Sequence, residues 1–157
     1  MNPLCFLLSV TVVWCDPAAQ QYADAAAAVP PEHWRLVKTV AIWRQDDGAT
    51  TIGAHPGHMY LPEERWDWAL WHEVGHLVGE RDGRRAGQVW ALVAWSGNRP
   101  RWTTPTDYAE TDAREDLAES YAAYIAGELS DCCPERAALL VDLVPELARY
   151  AGHGSTR

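Results

Sequence analysis

Five consecutive residues, His72-Glu73-Val74-Gly75-His76, form the pattern in this chain best suited to chemistry. On a helix, positions i and i+4 lie one turn apart on one side, so both imidazoles reach a common point while Glu73 sits beside them. Two imidazoles and an adjacent carboxylate suit a metal ion that activates water, with Glu73 as general base. Peptide hydrolysis needs that arrangement. The plain alternative is a pair of core histidines satisfied by hydrogen bonds. It buries an unpaired carboxylate on the most apolar helix of the chain, which is costly. Gly75 costs about 1 kcal/mol against Ala inside a helix, which points to close approach of another element there.

A catalytic zinc takes three protein ligands and a water, so a third ligand must come from elsewhere. Downstream candidates are Asp107, Glu110, Asp112, Glu115, Asp116 and Glu119. A helical wheel over residues 112–129 puts Leu117, Tyr121, Tyr124 and Ile125 in an apolar sector, and Asp116, Ser120 and Gly127 in a polar one. Glu115 and Glu119 fall on a stripe with Ala118, Ala122 and Ala126. Small residues there let the helix pack closely on another and turn both carboxylates into the interface. Glu115 is the favoured ligand, with Glu119 the second choice. Each has a bland role to set against this. Asp112 and Glu115 have capping-box spacing, and Glu119 is within reach of an ion pair with Arg114 or Arg136.

The elements that position these residues follow from periodicity and punctuation. Leu4 to Trp14 is an apolar run that reads either as a signal segment or, over Val10–Trp14, as a first strand. Ala18 to Val29 is an Ala-rich helix closed by Pro30-Pro31. Strands are expected over Leu36–Trp43, near Thr50–Ile52 after the Asp46-Asp47-Gly48 turn, and over His58–Leu61. A buried helix runs from Glu63 to Gly79, with Pro62 before it and Gly79 as its stop. Further helices are expected over Gly87–Trp95, Asp112–Leu129 and from Pro134, with a loop over Gly97–Thr106. The expectation is an α+β fold in one domain, residues 1–157, with a mixed sheet and the active-site helix in an N-terminal lobe and helices in a C-terminal lobe. Residues 1–19 form the signal segment or first strand, and residues 152–157 a flexible tail.

Composition narrows the function classes. The chain has 157 residues with 13 Lys and Arg against 22 Asp and Glu, a net charge of −9, which leaves no clustered cations for nucleic acid. No stretch reaches the ~20 apolar residues of a membrane span. Nine Trp stand against one Phe. Each indole carries an N–H that wants a partner, so some rings are expected to line a groove, with Trp66, Trp68 and Trp102 the candidates. The four Cys show no CxxC spacing. The expectation is four reduced thiols in a cytoplasmic chain, or a secreted chain if Leu4–Trp14 is a cleaved signal.

The segments His72-Glu73-Val74-Gly75-His76, Tyr108-Ala109-Glu110-Thr111 and Glu115-Asp116-Leu117-Ala118-Glu119-Ser120-Tyr121 together resemble the catalytic domain of the anthrax lethal factor type. That domain is shared with the Pro-Pro endopeptidases, within the gluzincins. In that family the third zinc ligand is a Glu well beyond the first helix, and a Tyr seven residues before it faces the metal from the opposite side. Tyr108 and Glu115 have that spacing, and the 39 residues from His76 to Glu115 suit this family better than thermolysin-like gluzincins. The resemblance implies a zincin-like metallopeptidase with one Zn²⁺ on His72, His76 and Glu115, Glu73 as base, and Tyr108 donating to the oxyanion. Glu119 is expected to orient an imidazole from behind. The partner is a protein or peptide substrate, laid along an edge strand, with His55 and His58 as candidate contacts. A catalytically idle zinc-binding interaction module, a phage or toxin-system component, is the alternative. The resemblance carries no substrate identity and no oligomeric state.

Overall fold

The computed structural model describes residues 6–7, 13–14, 17–43, 53–55 and 57–149. Strands β1 (Phe6–Leu7) and β2 (Val13–Trp14) are followed by a 3-10 helix (Pro17–Tyr22) and α1 (Ala23–Ala27). Next come α2 (Pro31–Trp34), β3 (Thr39–Trp43), β4 (Gly53–His55) and β5 (His58–Pro62). The long α3 (Asp67–Ala94) leads into a hairpin of β6 (Trp95–Ser96) and β7 (Arg99–Pro100). A 3-10 turn (Tyr108–Glu110), α4 (Ala113–Ile125), α5 (Leu129–Cys132), α6 (Pro134–Leu143) and a final 3-10 helix (Pro145–Arg149) complete the described chain. The expected α+β class holds, mostly helical with two small sheets.

The larger sheet has the order β1-β2-β3-β5-β4, with β2, β3 and β5 parallel and both edge pairs antiparallel. Along β5, His58 and Tyr60 are exposed while Met59 and Leu61 are fully buried, the alternation of a strand with one face on a core. That core is supplied from α3 by Leu70, Val74, Leu77 and Val78 and from α4 by Leu117 and Tyr121. The cross-strand register pairs His55 with His58.

Several boundaries differ from the sequence reading. Pro62 closes β5, and the helix begins only at Asp67, with Trp66 at its N-cap. Gly79 lies inside α3, because Leu117 packs where its side chain would be and tertiary burial outweighs its poor propensity. The break comes later, at Asp82 and Gly83, whose φ values of 51° and 73° are left-handed. There the run of helix folds back on itself: a Cβ on Gly87 would lie 3.1 Å from the Gly79 carbonyl oxygen. In a straight helix those residues are about 12 Å apart. The Ala-rich segment starts as a 3-10 helix, and Pro31 opens a further turn of helix, since a proline at the first helical position has no N–H to lose. The hairpin of β6 and β7 replaces the first part of the expected loop, turning at Gly97 with φ 63°.

Cys132 and Cys133 are joined as a disulfide, contrary to the expected reduced thiols. The backbone leaves the helix at Cys133, with φ −145° and ψ 61°, and the two sulfurs meet at that break between α5 and α6. Cys5, Cys15, the Asp46-Asp47-Gly48 turn, Thr50–Ile52 and the tail 152–157 lie outside the described residues, as does most of Leu4–Trp14. Among the described residues no helix is long and apolar enough to cross a membrane.

Candidate metal centre

Two helices build the site, and small residues bring them together. A Cβ on Gly75 would lie 2.8 Å from the Ala118 Cα and 3.0 Å from its carbonyl oxygen, so α3 and α4 touch backbone to backbone. Ala118 is fully buried in that contact, and Ala122, one turn on, is fully buried as well. Asp112 caps α4, accepting from the backbone N–H groups of Arg114 and Glu115 at 2.8 and 3.0 Å. With the cap supplied by Asp112, the Glu115 side chain crosses to α3 instead.

There its Oε2 lies 3.2 Å from Nε2 of His72 and 3.2 Å from Nε2 of His76. The rings of His72 and His76 stand edge to face, with centroids 4.6 Å apart. One ligand atom from each of the three residues lies within 4.8 Å of the other two, so the group can hold a metal ion. Two observations test the fit. Metal–ligand bonds of ~2.0–2.2 Å in a tetrahedron put neighbouring ligand atoms about 3.3–3.5 Å apart, close to the nitrogen–oxygen spacing seen here. Glu115 Oε2 also receives no aligned hydrogen bond despite its two close nitrogens, as lone pairs directed at a shared point require.

His72 is held from behind. Its Nδ1 donates to Glu119 Oε1 at 2.6 Å, which turns Nε2 toward the shared point as the nitrogen that could bind an ion once deprotonated. The same Oε1 accepts from the Trp68 indole at 3.1 Å, and Oε2 accepts from the Thr106 hydroxyl at 2.6 Å. Glu119 therefore serves His72, and neither Arg114 nor Arg136 pairs with it. Arg136 is fully buried against Asp116 at 2.8 Å, and Arg114, half exposed, lies 3.4 Å from Glu80 and 3.8 Å from Glu115.

Glu73 is buried beside the ligands, and its Oε2 has no hydrogen-bond partner. Burial, reinforced by the charge of Glu115 and opposed by His72, pushes its carboxyl up to about 7. Burial lowers the imidazole of His76. At His72 burial acts the same way but is outweighed by Glu115 and Glu119, so the ring is pushed up to about 9. Burial raises the Glu115 carboxyl less than the two imidazoles lower it. Three carboxyl groups thus converge on two imidazoles away from bulk water, an arrangement that a cation at the shared point would stabilise.

Tyr108 sits on its 3-10 turn with its ring centroid 5.9 Å from that of His72, and is 56% exposed. Of the other acidic candidates, Asp107 and Glu110 are exposed, Asp112 caps α4, and Asp116 is taken by Arg136. His58 points from the sheet face opposite the core and shares a 2.7 Å hydrogen bond with Thr39. Among the Trp residues proposed to line a groove, Trp66 is exposed, Trp68 is engaged by Glu119, and Trp102 lies 6.0 Å from the Arg136 guanidinium. The role of Trp68 was readable from its spacing, four residues before His72 on one helix face. Thr106 lies in an aperiodic loop and has no such signal.

No protein-family model matches the chain, and comparison with curated proteins and with solved structures yields no match.

Proposed function

We propose that the chain is a zinc-dependent peptidase of the gluzincin type, a small zincin-like domain acting on a protein or peptide substrate. The observation that carries this reading is Glu73, a buried carboxylate with an unpartnered oxygen beside three converging ligands. A site that only braces a fold has no use for such a base. His72, His76 and Glu115 would hold the ion, and a set of two imidazoles and one carboxylate suits zinc. Zinc bound there supplies Lewis acidity, bringing the pKa of a water toward ~7 and polarising a carbonyl.

The remaining steps belong to side chains. Glu73 takes the proton from the attacking water and returns it to the leaving amine, with its unpartnered Oε2 as the accepting atom. Tyr108, half exposed beside His72, donates its hydroxyl to the carbonyl oxygen as negative charge develops, which contributes roughly 3–4 kcal/mol. Glu119 keeps the His72 ring turned toward the site. Among the described residues β4 is an edge strand, paired only with β5, and its other side is where an extended peptide would add.

Glu73→Gln tests the reading, because the amide keeps the shape and removes the base. The expected result is one zinc per chain in both proteins, with hydrolysis of a peptide library by the wild type alone. Hydrolysis by the variant near the wild-type rate refutes the mechanism. Zinc binding without hydrolysis by the wild type makes the chain an interaction module.

A further inference from the structure

The Glu119 carboxylate has two oxygens with different clients. Oε1 accepts from His72 and Trp68 on α3, while Oε2 accepts from Thr106, outside both helices. The Thr106 hydroxyl in turn accepts from the backbone N–H of Ala109 at 3.2 Å. Ala109 is fully buried and occupies the middle of the 3-10 turn that begins with Tyr108. One unbroken chain of hydrogen bonds therefore runs from the His72 ring through Glu119 and Thr106 to the residue beside Tyr108. No other described side chain hydrogen-bonds the backbone of that turn.

We propose that Thr106 is a positioning residue, which locks the Tyr108 turn to the carboxylate orienting His72 and thereby couples metal loading to the placement of Tyr108. A hydroxyl suits this post because it donates and accepts at once. Its donation to Oε2 leaves a lone pair for the Ala109 N–H, so loosening either end loosens the other. When a metal ion fixes His72, Glu119 is fixed with it, and the turn tightens. The coupling rests on the metal-site reading, and the consequence for Tyr108 on the peptidase reading.

The test uses the full chain and two variants: Thr106→Val keeps the shape and removes the hydroxyl, and Thr106→Ser keeps the hydroxyl. Zinc affinity is measured by competition with a chromophoric chelator, and amide hydrogen exchange is followed at Ala109 with and without zinc. In the wild type, zinc should slow exchange at Ala109. In Thr106→Val, exchange should be at least ~10-fold faster and insensitive to zinc, with affinity weaker by at most ~10-fold, since Thr106 stands one hydrogen bond behind Glu119. Thr106→Ser should restore all three, which a role in packing alone would not predict. The proposal is overturned if zinc leaves Ala109 exchange unchanged in the wild type, a result that needs no variant to fold. It is equally overturned if Thr106→Ser behaves as Thr106→Val. None of these readouts requires turnover, so an absence of hydrolysis counts against the peptidase reading alone.

Discussion

Gly75→Ala is a one-methyl change that tests whether helix proximity makes the metal site. The new Cβ would stand 2.8 Å from the Ala118 Cα, 3.0 Å from the Ala118 oxygen and 3.0 Å from the Tyr121 Cβ. Ordinary contact begins near 3.4 Å, so α4 must retreat by about 0.5 Å or more, and the obstacle is backbone that no rotamer can move. Overpacking costs ~1–3 kcal/mol, and a backbone obstacle puts this case near 3. Replacing Gly by Ala within a helix returns about 1 kcal/mol, leaving a net loss of about 2 kcal/mol. For a chain of this size that is a fall in melting temperature of roughly 4–8 °C. The same retreat carries Glu115 away from His72 and His76, so zinc affinity should fall with stability. Gly79→Ala is the control. Its Cβ meets chiefly the Leu117 Cδ2 methyl at 2.5 Å, a side-chain tip that can turn aside, so stability should change less and zinc affinity should hold. Thermal melting of the zinc-free proteins and chelator competition read both effects. A Gly75→Ala protein as stable as the wild type, with equal zinc affinity, refutes the reasoning.

Zinc titration of three further variants should give an ordered series. Glu115→Gln loses the metal, Glu119→Gln weakens it by ~10–100-fold, and Tyr108→Phe leaves it unchanged while slowing any turnover by ~10²–10³. Zinc lost in Glu119→Gln and kept in Glu115→Gln would exchange the two roles. The stability that His33 contributes should be lost on acidification, since its imidazole is fully buried against the Tyr121 hydroxyl at 2.7 Å. Burial, aided by the charge of Arg81, pushes it from 6.5 down to about 4. Between those values the unfolded chain takes up a proton that the folded chain refuses, so stability drops as pH falls through this window, by about 3 kcal/mol in all. Urea unfolding of zinc-free wild type and His33→Gln from pH 7 to pH 4 reads this loss as the difference between the two proteins, because the Glu73 carboxyl, pushed up to about 7, gains stability over the same window in both and cancels.

The histidine pair and its companion carboxylates were legible because helical spacing is a geometric rule: His72 and His76 share a face whatever surrounds them. The stripe of Ala118 and Ala122 likewise announced a close helix contact, and Gly75 is where that contact falls. The limits were those of one-dimensional patterning. A wheel separates the polar sector of α4 from the apolar one, yet it does not say which faces water. Asp116 turned inward, because Trp90, Trp95 and Arg136, all distant in sequence, converge on it. Gly79 reads as a stop by propensity, and Asp82-Gly83 makes the turn by backbone conformation. A composition rule cannot rank the two when the deciding term is what α4 packs against.

The consecutive residues Glu115 and Asp116 also explain how α4 holds its rotation. Side chains one residue apart on a helix diverge by about 100°. Glu115 faces the two histidines, and Asp116 enters a sealed cluster on another side. Its Oδ2 accepts from the indoles of Trp90 and Trp95 at 3.0 and 2.7 Å, and its two oxygens accept from the Arg136 guanidinium at 2.9 and 2.8 Å. Both Asp116 and Arg136 have no solvent exposure, so a rotation of α4 that withdrew the carboxylate would strand a buried cation. Stranding one member of such a pair costs about 3–5 kcal/mol. That cost opposes any turn of the helix, including one that would carry Glu115 off the histidines. The spacing between α3 and α4 is set separately, by Gly75 against Ala118, and the ring of His72 separately again, by Glu119. Distance, rotation and ring orientation thus rest on different residues of one short segment. The three side chains that could hold an ion are thus set by independent contacts, which is the preorganisation a binding site needs.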